Sequence, residues 1–150
     1  MPPAGPSENK PFDLESSLGF LVYRVHQHVA AEFRRALEPV ELTPPQFGVL
    51  ALLHDHSGQR QAALCERSAI DPNTMVGIID RLEAAGLVER QRDPEDRRAY
   101  MVEITPRGKR LLRRCRPLRE QASQRSWAAL SPGEQNTLRD MLRKVLGLDE

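Results

Sequence analysis

From residue 14 onward, apolar side chains return every third or fourth position, and this rhythm breaks in one place only. At ~100° per residue, Leu14, Leu18, Leu21, Val22, Val25, Val29, Phe33 and Ala36 share one broad stripe, which predicts a helix over residues 13–37. A second helix is expected over 44–54 (Phe47, Leu50, Ala51, Leu53) and a short third over 59–68 (Ala62, Ala63, Leu64, Cys65). A fourth spans 72–85, with Met75, Ile78, Ile79 and Leu82 inward and Gly86 placed to close it in the left-handed region. Four of the helix starts carry one signature, a short oxygen-bearing residue followed by proline: Thr43-Pro44, Asp71-Pro72, Thr105-Pro106 and Ser131-Pro132. The side-chain oxygen accepts from an orphan backbone N–H, and proline at the next position loses nothing by lacking its own. Gln46 after Thr43 and Glu134 after Ser131 complete capping boxes.

The period then shifts from helical to alternating. Residues 87–92 and 98–104 read as two strands, the second with Tyr100, Val102 and Ile104 on one face, joined by the turn sequence Asp93-Pro94-Glu95-Asp96. A long helix follows over 106–130, bent at Pro117, and a last one over 132–146 carries Leu138, Met141, Leu142 and Val145. The fold class is therefore mainly α with a small β-hairpin.

At 150 residues the chain suits one domain, expected over 12–150, behind a disordered leader at 1–11 that holds four prolines. The longest apolar run, Phe47 to Leu53, is far below the ~18 residues of a membrane span, and the start lacks the basic and apolar segments of a signal peptide. A cytoplasmic protein with no membrane association is expected. Cys65 and Cys115 match no zinc spacing and sit where small apolar residues belong, so they read as packing thiols.

The formal charge of +1 conceals an uneven distribution. Residues 90–119 hold eleven of the 22 Lys and Arg but only four of the 21 acids, which leaves the remainder of the chain acidic. A basic surface of that kind attracts phosphate even in a near-neutral protein.

Short helix, turn, capped helix, glycine, then a hairpin with a charged tip is the order of a winged helix-turn-helix. The stretch IIDRLEAAGLVERQRDPEDRRAYMVEIT, with Asp96, Arg98, Val102, Ile104 and Thr105 in the spacing of a wing signature, resembles the MarR (multiple antibiotic resistance) family of bacterial regulators over residues 12–147. The resemblance implies a winged helix-turn-helix over 44–105 with dimerisation helices at 13–38 and 106–147. It also implies a homodimeric repressor of a pseudo-palindromic operator in double-stranded DNA, released by a small-molecule effector. Gln59, Arg60 and Gln61 would then lie near phosphates. Pro72, Asn73, Thr74, Val76 and Gly77 would enter the major groove, since an α-helix fits a groove ~12 Å wide. Relatives often carry polar residues where Val76 and Gly77 stand, which shifts sequence readout toward the wing and DNA shape. Arg81 would brace the wing or a phosphate. Of Arg97 and Arg98, one would enter the minor groove and one meet phosphate, with Asp96 orienting the guanidinium of Arg98 and with Asp93 and Glu95 limiting unspecific attraction.

An effector pocket for an aromatic acid is expected around Tyr23, Arg24, His26 and Phe47, between the dimerisation helices and the DNA-binding lobe. No cofactor and no metal is expected: His26 and His28 point about 160° apart on a helix. No catalytic constellation argues for an enzyme. The alternatives are a thiol- or metal-responsive regulator of the same fold, and a winged-helix protein-interaction module that binds no DNA.

Overall fold

A computed structural model describes residues 10–148. The leader expected over 1–11 lies almost wholly outside the described residues. Chain order is α1 (Leu18–Leu37), α2 (Pro44–Asp55), β1 (Gln59–Arg60), α3 (Gln61–Ser68), α4 (Pro72–Ala84), β2 (Val88–Arg92), β3 (Tyr100–Ile104), α5 (Pro106–Trp127) and α6 (Pro132–Val145). Short 3-10 turns at Leu14–Ser16 and Glu38–Val40 precede and follow α1.

All four Xaa-Pro starts are real caps. Thr43, Asp71, Thr105 and Ser131 each accept from the backbone N–H three residues on, and the Thr43/Gln46 and Ser131/Glu134 capping boxes are complete. Gly86 takes φ 73 at the end of α4. The first helix, however, begins later than the apolar stripe implies. Ser17 caps it by accepting from Phe20 N, while Asp13 sits in the left-handed region and Leu14 belongs to a separate 3-10 turn. The helix expected over 59–68 is likewise shorter, because Gln59 and Arg60 form a strand.

The sheet is antiparallel in the order β1-β3-β2, with Gln59 opposite Val102 and Arg90 opposite Val102 from the other side. Its inner face contributes Val88, Val102 and Ile104 to a core built with Leu50 and Leu53 of α2, Leu64 of α3, and Met75, Ile79 and Leu82 of α4. Arg98 lies outside the hairpin strands: the connection runs from Asp93 to Ala99, and Arg97 and Arg98 occupy a turn closed by Ala99 N donating to Asp96 O at 3.0 Å. Tyr100 begins β3 but stays 49% exposed, so only the later two of its three alternating residues reach the core. The long helix expected over 106–130 ends at Trp127 and runs continuously through Pro117.

The base of the hairpin is fixed to α5 by close packing. Thr105 Oγ1 donates to Gly86 O at 2.6 Å and accepts from Gly108 N, and Thr105 N donates to Leu87 O. A Cβ on Gly108 would stand 2.7 Å from Ile104 Cγ1 and closer still to the Leu87 carbonyl oxygen. α1 lies along α5, where Arg125 donates to Glu32 at 3.1 Å. α6 contributes no buried residue.

Gly108→Ala should therefore destabilise the chain by about 1–3 kcal/mol, the usual cost of overpacking, seen as a lower urea midpoint at unchanged m. An unchanged midpoint would mean that α5 docks on the hairpin less tightly than this geometry requires.

Candidate nucleic-acid interface

Helix α4 has two unlike faces. Met75, Ile78, Ile79 and Leu82 are buried, whereas Pro72, Asn73, Thr74 and Val76 face solvent at its N-terminal end. The Asn73 side chain has no hydrogen-bond partner among the described residues, which leaves its amide free to meet a base edge. Thr74 is held: its N–H and Oγ1 both donate to the Asp71 carboxylate, at 2.9 and 2.6 Å. These bonds, the hydroxyl's first, lower the Asp71 pKa. A Cβ on Gly77 would touch nothing within 4 Å, so no packing within the chain requires a glycine there.

Acids on the same helix would repel a polyanion unless neutralised. Arg90 of β2 does this, donating to Asp80 at 2.5 Å and to Glu83 at 2.8 Å, while its backbone N–H also reaches Glu83. This is the brace between recognition helix and hairpin that the sequence pattern assigns to Arg81. Arg81 instead is exposed near the C-terminal end of α4, about 12 Å along the axis from Asn73 at 1.5 Å per residue.

The hairpin tip is fastened by a second arginine. Arg60 donates through Nε and Nη2 to Asp93 Oδ2, at 2.8 and 2.5 Å. Asp93 is only 5% exposed and also accepts from Glu95 N. That backbone bond first, and Arg60 second, hold its carboxyl below the usual carboxylate range. Asp93 is therefore a structural anchor rather than a solvated charge limiting unspecific attraction. Arg60 is tied to the hairpin by this pair, with its side chain still half exposed.

Asp96 acts on the backbone and not on a guanidinium: its Oδ1 accepts from Arg98 N at 3.0 Å, forming an Asx turn. Arg92 supports the same turn by donating to Arg97 O at 3.3 Å, its guanidinium 5.8 Å from the Tyr100 ring centroid. The side chains of Arg97 and Arg98 point outward without partners among the described residues.

Gln59 leaves the expected set altogether. It is 7% exposed, and its Nε2 donates to Leu52 O and His56 O at 2.8 and 2.7 Å, tying off the end of α2. Gln61 remains half-buried at the start of α3.

The four expected effector residues do not come together in this chain. Phe47 packs edge-on against Phe33, with ring centroids 5.0 Å apart, and lines a cavity of about 280 Å³ with His54, Leu112, Arg116 and Arg119. Tyr23, Arg24 and His26 stand on the exposed first half of α1, where Tyr23 accepts from Gln27 and Arg24 lies over the Phe20 ring. Cys115 is buried with its thiol pushed up by desolvation, and Cys65 is half-buried. Among the described residues there is no group of three metal-ligating side chains, and no helix is long and apolar enough to cross a membrane.

The pH dependence of the wing follows from Asp93. Because its folded-state pKa is depressed, the anchoring contribution is complete above about pH 4 and lost only as pH falls through the lowered value. Asp93→Asn should therefore show at neutral pH the several-fold faster amide exchange, at residue 93 and at Ala99, that the unaltered chain shows only in acid. Equal exchange in the two proteins at pH 7 would remove the anchoring role.

Comparison with known proteins accords with this geometry. A family model described as MarR family matches residues 42–100. The HTH-type transcriptional repressor NicR of Pseudomonas putida is 36% identical over 99% of this chain and 94% of its own length. Among solved structures, BpsR of Bordetella bronchiseptica, whose DNA binding is described as regulated by 6-hydroxynicotinic acid, superimposes with TM-score 0.87 at 33% identity, covering 93% of this chain and all of that one. The repressor CouR on a 23-mer DNA duplex gives TM-score 0.85 at 32% identity, over 93% of this chain and 99% of that one.

Proposed function

The chain belongs to the MarR family, and on that footing we propose that it is a homodimeric transcriptional repressor that binds a pseudo-palindromic operator and is released from it by a small aromatic acid. The observation that carries the DNA reading is the pairing of two outward elements held in fixed relation. The open N-terminal end of α4, with Asn73, Val76 and Gly77, suits the major groove, and the unpaired Arg97 and Arg98 suit the minor groove and its phosphates. Arg60 and Arg90 serve as positioning residues, since each joins the hairpin to the helix-turn-helix. A protein-interaction module with no DNA target gives no reason for two arginines at the tip of so firmly braced a turn.

The dimer reading rests on the helices outside the lobe. No residue of α6 is fully buried in its own chain, and Met141, Val145 and Leu146 are 60%, 84% and 69% exposed. Leu18, Leu21, Val22 and Val25 leave the first half of α1 uncovered as well. Isolated helices of about 12–15 residues are marginal in water, so α6 needs an apolar partner surface, and a second copy supplies one.

The effector reading draws on BpsR and on the Phe47 cavity, where two arginines, Arg116 and Arg119, outnumber the one carboxylate, Asp55, and with an aromatic wall suit a ring bearing a carboxylate. Tyr23, Arg24 and His26 stay exposed on the first half of α1, so a part for them in an effector pocket requires the second subunit.

One titration tests the whole reading. Fluorescence anisotropy with a duplex from the chain's own upstream region, at two salt concentrations, should show affinity falling steeply as salt rises. Arg97→Ala/Arg98→Ala should cost about 1–3 kcal/mol per arginine that reads bases, and should flatten the salt slope by about 1 for each phosphate no longer neutralised. Adding 6-hydroxynicotinate should release the DNA. Unaltered binding by the double variant would dismiss the wing's role, and unaltered binding with 6-hydroxynicotinate would dismiss an effector of that type.

A further inference from the structure

A larger cavity, of about 620 Å³, opens on the far side of α5, between the loop after α1, the last turns of α4 and the first half of α5. Four guanidinium-bearing side chains line it: Arg81 from α4, and Arg107, Arg110 and Arg114 from α5. All four are exposed, and none has a hydrogen-bond or ion-pair partner among the described residues. One carboxylate, Glu41, lies among them, at the left-handed residue (φ 55) that ends the second 3-10 turn. The cleft therefore holds a clear excess of positive charge, and its cations repel one another until an anion enters.

The arrangement specifies the kind of anion. Arg107, Arg110 and Arg114 are spaced three and four residues apart, which puts them on one face of α5, spread over roughly 10 Å. Arg81 faces that row from the opposite wall. A single carboxylate engages one guanidinium, or two, in bidentate fashion, whereas phosphate and diphosphate groups offer more oxygens and more charge to a row of forks. The floor is apolar, formed by Leu82, Leu87 and Leu111, and can take up a ring or chain attached to the anion. We propose that this cleft is a second ligand site, separate from the Phe47 cavity, for an organic phosphate or diphosphate with an apolar portion.

The duplex is a poor occupant of the cleft. Arg81 marks the end of α4 opposite its reading residues, on the order of 12 Å from Asn73. Because α4 and α5 supply facing walls, an occupant fixes the recognition helix to the long helix that follows the wing. A ligand acting so changes operator affinity to the degree that it prefers one relation of the two helices. That coupling rests on the DNA-binding reading, whereas the site itself does not.

Calorimetric titration with inorganic pyrophosphate, with adenosine diphosphate and with benzoate tests the site, using the unaltered chain and Arg110→Ala/Arg114→Ala. Both diphosphates should bind at least tenfold more tightly than benzoate, and the double variant should lose at least tenfold of that affinity at an unchanged melting temperature. The variant should bind the upstream duplex as the unaltered chain does. No diphosphate binding, binding indifferent to the double substitution, or benzoate bound as tightly would each overturn the proposal. Loss of duplex binding by the variant would overturn it as well, by turning these arginines into partners of the DNA backbone. If the unaltered chain binds diphosphate through Arg110 and Arg114 yet never binds DNA, the site stands and the repressor reading falls.

Discussion

A side chain that reads a base edge must arrive within a few tenths of an ångström of its place, and a hairpin on its own is too loose to deliver one. The relation between wing and recognition helix is therefore the constraint on which the DNA-binding surface depends. Two arginines impose it. Arg60 joins the start of the helix-turn-helix to Asp93 at the root of the wing tip, and Arg90 joins the wing strand to Asp80 and Glu83 on the recognition helix. Both are charge-assisted and at least two-pronged, the type of hydrogen bond that fixes direction as well as distance. Below them the apolar side of α4 packs into the core with Leu50 and Leu53 of α2 and Val88 of β2, so that its outer side is presented at a set angle.

The charge distribution follows the same logic. A chain of formal charge +1 draws little long-range attraction from its total. Asp80, Glu83 and Asp93 are matched by arginines from neighbouring elements and Asp71 is occupied in capping α4, while Arg97 and Arg98 remain unmatched at the tip. Further unmatched arginines gather on α5, in the cleft beside Arg81. The basic stretch of the sequence thus divides into two surfaces with different prospective partners, a division that counting charge along the chain could not show.

What the sequence discloses and what it withholds divide by the range of the interaction. Caps act over three residues, and Thr43, Asp71, Thr105 and Ser131 all behave as their neighbours imply. The apolar face of α4 and the turn at Gly86 are equally local. Arg60 and Asp93 are 33 positions apart, and β1 is two residues long, too short for any periodicity to register. Gln59 has the look of a polar residue ready for phosphate because its burial depends on α2 and β3 meeting above it. At Asp96 the turn is legible and the partner is not, since an aspartate two residues before an arginine suits an ion pair and an Asx turn equally well. Leu14 continues the stripe of α1 in phase, and only the Ser17 hydroxyl reveals that the helix starts after it.

If two copies place their α4 ends and wing arginines on one duplex, the spacing between them is fixed by the two-fold axis. Hydroxyl-radical footprinting of the chain's upstream region reads that spacing directly. Two symmetry-related protected segments are expected, their centres one helical turn apart, ~34 Å, with additional minor-groove protection outside them. A single protected segment, or two whose spacing varies from site to site, would contradict a symmetric pair of subunits braced in this way.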